Sequence, residues 1–347
     1  MPPLVSILIP AYNAEAWLGQ TIRSALSQTW PRKEIIIVDD GSRDQTLSVA
    51  RQFAAKEVTV VTQTNQGASA ARNHAFSLSQ GDYIQWLDAE DILAPDKIAR
   101  QVEAALENPS KRIVLSGAWG AFMYRISRSQ FIPSPLWADL SPLEWLLRKM
   151  EHNAHMQTAT WLVSRELTDK AGPWDIRLSL DDDGEYFCRV VLGSDSIRFV
   201  PEARVFYRQA GADRLSSIDR SDKKLESQFL SMRLHVRYLR SLEDGQRARA
   251  AAVAYLQTWF IWFFKERPDL AEKLQQLATE LGGELNQPRL SWKYRWIQEL
   301  FGWKAAKRTR EFWNRHKSLA MRCWDKALFH LEQNLAIGAD SCRRKPV

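Results

Sequence analysis

Val5-Ser6-Ile7-Leu8-Ile9-Pro10-Ala11-Tyr12-Asn13 opens the chain with an apolar run that reads as a strand covered on both faces and ended by a loop from Pro10 onward. The same theme recurs downstream. Leu18, Ile22, Ala25 and Leu26 recur at helical spacing before Pro31. Glu34-Ile35-Ile36-Ile37-Val38 is a second buried strand, delivering Asp39-Asp40-Gly41-Ser42 to its carboxyl end, and Asp44 is placed to cap a helix through Phe53. Residues 58–61 read as a third strand, Asn65-Gln66-Gly67 as a turn, residues 68–78 as a helix and residues 83–87 as a fourth strand. Strand-then-helix units in this order predict an α/β fold around a parallel sheet with right-handed crossovers. Ligands of such sheets lie beyond the carboxyl ends of the strands. That rule gathers Tyr12, Asn13, Asp39, Asp40, Arg72 and Asp88 at one rim.

Further along, a helix with Ile98, Val102, Ala105 and Leu106 on one face is expected, then strands at 113–115 and 121–124 and a helix over 137–150. Next come a strand at 159–163, a turn at Gly172-Pro173-Trp174-Asp175 and an acidic entry, Asp181-Asp182-Asp183, into an apolar helix. Residues 197–200 and 203–207 read as closing strands, and the pattern beyond Gly211 is helical. The expected domains are 1–210, an α/β catalytic part; 211–285, a helical extension; and 286–347, a basic, tryptophan-rich helical tail.

The 347 residues suffice for a large core, and a charged content of 26% is that of a soluble globular protein. Three widely spaced cysteines, Cys188, Cys323 and Cys342, argue against a disulfide framework and fit a reducing compartment. The N-terminus lacks the order of a signal peptide, so a cytoplasmic location is expected. The longest nearly apolar run, 250–264, is shorter than the ~20 residues a membrane span needs. Basicity is local: residues 286–347 hold 14 Lys/Arg against 5 Asp/Glu, a net +9 that leaves the rest of the +7 chain at −2.

Gly81-Asp82-Tyr83-Ile84-Gln85-Trp86-Leu87-Asp88-Ala89-Glu90-Asp91 carries an apolar strand straight into three carboxylates. If the chain stays extended past Leu87, Asp88 and Glu90 project from one face. Carboxylates so clustered raise one another's pKa and need a cation, for which a hard divalent metal bridging to a phosphate is suited. An acidic turn complementing a helix dipole is the other reading.

Five segments together resemble family 2 glycosyltransferases with the GT-A fold, over roughly residues 4–210. They are residues 5–13; Ile37-Val38-Asp39-Asp40-Gly41-Ser42; Asn65-Gln66-Gly67-Ala68-Ser69-Ala70-Ala71-Arg72-Asn73; Leu87-Asp88-Ala89-Glu90-Asp91; and Asp182-Asp183 before an aromatic helix. The resemblance implies a mixed, mainly parallel sheet flanked by helices, with Pro10, Tyr12, Asn13, Asp39, Asp40, Arg72 and Asp88 on the nucleotide. Within that set it puts Tyr12 beside the base, Asp40 on uracil, Arg72 on the diphosphate and Asp88 near the ribose. For Arg72 a solvated helix arginine is the competing reading, and for Asp39-Asp40 a turn before a helix. Mn2+ or Mg2+ is implied on Glu90, with Asp88 and Asp91 as further ligands, although the family's usual motif is Asp-x-Asp and Glu90 departs from it. Asp183, with Asp182 second, is the implied general base of an inverting transfer, while an N-cap cluster for the following helix is compatible with that role. A histidine that other members carry near the position of Tyr207-Arg208 is missing, and His152 and His155 carry little weight.

The resemblance implies a nucleotide-sugar donor, UDP-linked, and a glycan or lipid-linked acceptor. In the tail Trp292, Trp296, Trp303, Trp313 and Trp324 lie among Lys293, Arg295, Lys304, Lys307, Arg308, Arg310, Arg315 and Lys317. Aromatics ringed by cations suit an interfacial helix on an anionic membrane surface, here its cytoplasmic face; helices packing their tryptophans inward are the alternative. No nucleic-acid motif accompanies the charge, so nucleic acid is not expected. A nucleotidyltransferase should carry a glycine-rich basic loop after the first strand, where this chain has Pro10-Ala11-Tyr12-Asn13. A catalytically inactive, membrane-associated subunit that binds nucleotide sugar or glycan remains as the rival of another class, motivated by Glu90 and the missing histidine.

Overall fold

The structure is a computed structural model that describes residues 1–108, 110, 112–209 and 221–343, with side chains through 332. The expected boundary at 210–211 lies outside the described residues. Two compact units divide the chain: described residues of Met1–Gly120, Phe131–Tyr207 and Asp213–Asn286 form the first, and those of Ala121–Gln130, Arg208–Ala212 and Gln287–Val347 the second.

In the first unit, β1 (Val5–Ala11), α1 (Leu18–Leu26), β2 (Lys33–Asp39), α2 (Thr46–Arg51), β3 (Val58–Thr62), α3 (Ala68–Leu78) and β4 (Tyr83–Trp86) alternate as the sequence predicts. The pairs β1/β2, β2/β3 and β1/β4 are parallel, with Ile7 between Ile35 and Gln85. A two-residue strand, β7 (Val163–Ser164), adds antiparallel to β4 and closes the order β3-β2-β1-β4-β7. β1 is buried at every position, as its continuous apolar run requires. Its register with β2 sets Ala11 beside Asp39, and the Asp40 N–H donates to the Ala11 carbonyl at 2.8 Å. This aligns the two strand ends that form the rim.

A second sheet has the order β5-β8-β6, from β5 (Ile92–Leu93), β6 (Ile113–Phe122) and β8 (Ser196–Arg208). Each of the two expected strand pairs, 113–115 with 121–124 and 197–200 with 203–207, is therefore one continuous strand. Gly117 makes this possible, since a Cβ there would lie 2.1 Å from the Ala203 carbonyl oxygen. Of the strand expected at 159–163 only the end is extended, where Leu162 bridges Leu115 and Val163 opens β7; Thr158–Thr160 form a 3-10 turn that the Gln157 side chain caps by accepting from the Ala159 N–H. The helix expected from 137 starts at Pro142, where Ser141 caps the Glu144 N–H; this is α5 (Pro142–Glu151). Asp44 does hold a helix-start N–H, that of Thr46 at 3.0 Å, but α2 ends at Arg51.

After α4 (Lys97–Leu106), α6 (Arg165–Ala171) and α7 (Asp182–Gly193), the helices α8 (Asp222–Leu242), α9 (Gln246–Phe263) and α10 (Pro268–Glu280) share one apolar core with the sheet. That core runs from Leu8 and Trp86 through Trp161 and Phe187 to Met232, Tyr255 and Leu274. In the second unit, α11 (Arg295–Arg343) is interrupted at Gly302, whose φ of 81° is non-helical. Its Asp325 accepts from Arg125 Nε at 2.8 Å and from the Tyr124 N–H at 2.9 Å.

Gly117→Ala is expected to destabilise the first unit by about 1–3 kcal/mol through overpacking. Chemical denaturation should show a lower midpoint with an unchanged slope.

Candidate active site

The strand ends and the start of α7 converge on one buried arginine. Arg72 projects from α3 with only 6% of its surface exposed. Its Nη2 lies 2.8 Å from Asp88 Oδ1, just past β4, and its Nη1 lies 2.7 Å from Asp182 Oδ2, in the first turn of α7. Ser69, one turn earlier on α3, adds its hydroxyl to the same Asp182 oxygen at 3.2 Å. Beneath the guanidinium lies the Trp174 ring, 4.3 Å away, stacked in turn on Tyr186 at 4.1 Å. The Asn73 side chain fixes that tryptophan by bonding both its backbone N–H and its carbonyl. Burial alone would pull the Arg72 pKa down, but the charges of Asp182 and Asp88 outweigh it and hold the group above its ordinary value. Arg72 is therefore not a solvated helix arginine.

Asp183 comes directly after Asp182 and accepts from the Gly184 N–H at 2.8 Å and from the Thr158 hydroxyl at 3.3 Å. Burial first, then the neighbouring charges of Asp182 and Asp181, push its carboxyl up to about 7, against the opposing pull of Arg72. A carboxylate balanced near neutrality can accept a proton and release it again. Asp181 precedes α7 in the left-handed conformation, φ 57°, and its side chain caps no N–H of that helix.

The residues expected to hold a metal are partly separated. β4 stops at Trp86, and the Asp91 N–H closes a turn onto the Asp88 carbonyl at 3.1 Å, so Asp88 and Glu90 do not share a strand face. Asp91 is fully buried and accepts from the Gln157 amide. Among the described residues no three carboxylate, histidine or cysteine side chains stand together as a metal site. The charge balance nevertheless fits a divalent cation: Arg72 directly pairs with Asp88 and Asp182, and Asp183 still feels the repulsion of Asp182, Asp181 and Asp88. Magnesium-type ions are held by one or two carboxylates plus phosphate oxygens, a set that needs no preformed protein cage.

At the ends of β1 and β2, Pro10 pairs with Val38 in the sheet and Tyr12 stands 45% exposed just past β1. Asn13, with φ 48°, ties that end to the next loop by accepting from the Arg43 N–H and donating its own N–H to Ser42. Asp40 is spent largely on its own chain, accepting from Gln63 Nε2 and from the N–H groups of Gln66 and Gly67. Asp39 is the more available partner: Thr62 donates to one oxygen at 2.9 Å, while the buried Oδ1 has no partner. His155 packs on Trp119 of β6 with ring centroids 5.3 Å apart, and the same tryptophan meets Tyr207 of β8 at 5.7 Å. His152 is exposed and brought to none of these groups.

Trp174, Ser69 and Thr158 are the site residues that sequence reasoning did not find. Trp174 was legible only as part of a turn. In the second unit, Trp292, Trp296, Trp313 and Trp324 are each more than half exposed, whereas Trp303 is buried. No helix among the described residues is long and apolar enough to cross a membrane.

The sequence model described as Glycosyl transferase family 2 matches residues 6–170. A protein of Haemophilus influenzae described as an uncharacterized glycosyltransferase is 43% identical over 109 residues, 30% of this chain and 44% of that protein. The uncharacterized glycosyltransferase EpsJ of Bacillus subtilis is 28% identical over 217 residues, 60% of this chain and 62% of that protein. The putative teichuronic acid biosynthesis glycosyltransferase TuaG of Bacillus subtilis is 39% identical over 108 residues, 30% of this chain and 43% of that protein. The chain thus spans less than two thirds of each of these relatives. Among solved structures, S. aureus TarS 1–349 in complex with UDP superposes with a TM-score of 0.58 at 17% identity, covering 80% of this chain and 86% of that one. The complex of the same protein with UDP-GlcNAc gives 0.58 at 15% identity, covering 83% and 94%. Identities this low speak for the fold, a GT-A type α/β arrangement.

Asp183→Asn is expected to melt higher than the wild type at pH 8. The folded-state pKa of about 7 lies above the ~3.9 of an unfolded aspartate, so ionisation costs the folded state increasing stability from pH 4 to 7 and the full amount above that. Thermal melts across this range should show the gain vanish as the pH falls towards 4.

Proposed function

From the glycosyl transferase family 2 domain that this chain carries over residues 6–170, we propose that it moves a sugar from a nucleotide sugar, UDP-linked, to a hydroxyl of a glycan or lipid-linked acceptor with inversion. One observation carries this reading: Arg72 joins the carboxylate at the end of β4 to the carboxylates opening α7, so a donor side and a proton-accepting side meet at a single buried cation. The UDP and UDP-GlcNAc named with TarS, and the teichuronic acid named with TuaG, support a UDP-sugar donor and an envelope polysaccharide product.

In this reading Tyr12 covers the base and the unpartnered Asp39 oxygen, with Asp40, accepts from the nucleoside, while Pro10 and Asn13 shape the loop beneath it. Asp88 faces the ribose and diphosphate, and Arg72 turns towards the phosphates as Asp88 and Asp182 exchange partners. A Mn2+ or Mg2+ ion held by Asp88 and Glu90, with Asp91 buried behind them, would supply positive charge to the departing nucleotide. Asp183 takes the acceptor hydroxyl's proton from the face opposite the leaving group, and Asp182 holds Asp183's neighbourhood in place through Arg72. One displacement with one base inverts the anomeric centre.

The acceptor side extends to location. The four exposed tail tryptophans and the surrounding Lys and Arg side chains suit an anionic membrane surface and support a location on its cytoplasmic face, next to lipid-linked acceptors.

Turnover of a panel of UDP-sugars, with and without Mn2+, tests the activity. Asp183→Asn should lower it by about 100-fold or more. No turnover of any donor by the wild type, despite nucleotide-sugar binding, would make the protein a binding subunit. Flotation with phosphatidylglycerol vesicles tests the tail: Trp296→Ser with Trp313→Ser should weaken binding at least about tenfold and raised salt should weaken it further. Binding that both changes leave intact rules out the interfacial tail.

A further inference from the structure

Helix α8 presents Ser227, Ser231, His235 and Tyr238 at offsets 0, 4, 8 and 11, the spacing of one helix face. Each of them faces the segment that leads into α7 or the first turn of that helix. The Ser227 hydroxyl accepts from the N–H groups of Ser179 and Leu180 at 2.9 and 3.0 Å and donates to the Leu180 carbonyl at 2.9 Å. Ser231 donates to Asp181 Oδ2 at 2.8 Å, and His235 Nδ1 stands 3.7 Å from the same oxygen while bonding the Tyr255 hydroxyl at 3.0 Å. Tyr238 donates to Glu185 Oε1 at 2.5 Å, one turn into α7, where Arg189 also holds that carboxylate.

Ser231 and His235 are fully buried. Apolar side chains of similar volume would join two helices at less desolvation cost, so a buried polar face is a means of fixing geometry. The geometry it fixes is unusual. Asp181 holds a left-handed backbone, and a Cβ on Gly184 would lie 2.1 Å from Asp181 Oδ1. Only glycine at 184 leaves room for that carboxylate against the first turn of α7. Asp181 is thus latched between Gly184 on one side and Ser231 on the other, with the buried His235 ring beside it, and the next two residues are Asp182 and Asp183.

We propose that α8 is a positioning element for the transfer reaction: Ser231 holds the Asp181 carboxylate, and this latch sets the Asp182–Asp183 pair against Arg72. The inference rests on the reading of Asp183 as the base. Ser231 is a positioning residue that acts through Asp181, with no part in binding donor or moving the proton itself.

The test is Ser231→Ala in the full-length protein, with steady-state kinetics, thermal melting and amide hydrogen exchange measured together. The expected result is a kcat lower by about tenfold or more, since small displacements of a base are costly. Donor KM should stay within about twofold, Ser231→Thr should restore most of the rate by returning the hydroxyl, and amides 182–185 should exchange about tenfold faster. An unchanged kcat, or a loss that tracks the folded fraction and is not recovered by Ser231→Thr, overturns the proposal. Should Ser231→Ala fail to fold, Tyr238→Phe reads the same clamp at Glu185, with the same split between kcat and KM expected. If the wild type turns over no donor, the glycosyl transfer reading fails by itself. Exchange then still decides the latch, because unchanged protection at 182–185 in the variant overturns it.

Discussion

The molecule turns on the environment of one guanidinium. Arg72 is charged, buried and held by two carboxylates that belong to different parts of the chain. Removing either acid would leave a charge in a site that solvates it poorly, and removing the arginine would leave the acids facing one another. The surrounding features serve to keep that cation in place: an aromatic ring beneath it, an asparagine pinning the ring's backbone, and a helix N-terminus that favours the acids of α7. An arginine bound only by its own protein is also one that a diphosphate can compete for, because phosphate oxygens offer the same two-pronged geometry as the carboxylates.

Much of this architecture was readable in the sequence, for identifiable reasons. Continuous apolar runs at 5–9 and 34–38 can hardly be anything but doubly covered strands, and once those are set the carboxyl-end rule locates Tyr12, Asp39, Asp40 and Asp88. The helix at 68–78 came out with its observed bounds because Gly67, with φ 93°, marks its start. The failures have equally local causes. Gly117 and the turn residues near 201 look like breaks, yet Gly117 lets two long strands approach closely. Asp88 and Glu90 seemed to alternate along a strand that in fact ends at Trp86, after which the chain enters the turn that the Asp91 N–H closes on the Asp88 carbonyl. Trp174 and Ser231 carried no pattern that could reveal them, since their meaning comes from partners roughly 50 to 100 residues away.

The helices after 221 illustrate how packing reshapes a division drawn from sequence. Composition changes there, which reads as an added helical segment, but Met232, Tyr255 and Leu274 fill the core that Leu8 and Trp86 begin. The polar face of α8 lies within this shared core and meets the segment carrying Asp181. Stability and site geometry are therefore coupled in this region, so a substitution in either partner is felt by both.

The bond between Arg72 and Asp182 spans 110 residues of chain. During synthesis the strands that make the rim emerge well before the acids of α7, and the helix that bonds Asp181 emerges later still. The core begun by Leu8 and Trp86 is closed only when Met232, Tyr255 and Leu274 have been made, so the early strands wait for α8 to α10 to bury their apolar faces. Order of translation thus delays both: the rim of the sheet and the acids of α7 reach their final geometry together, with the finished core.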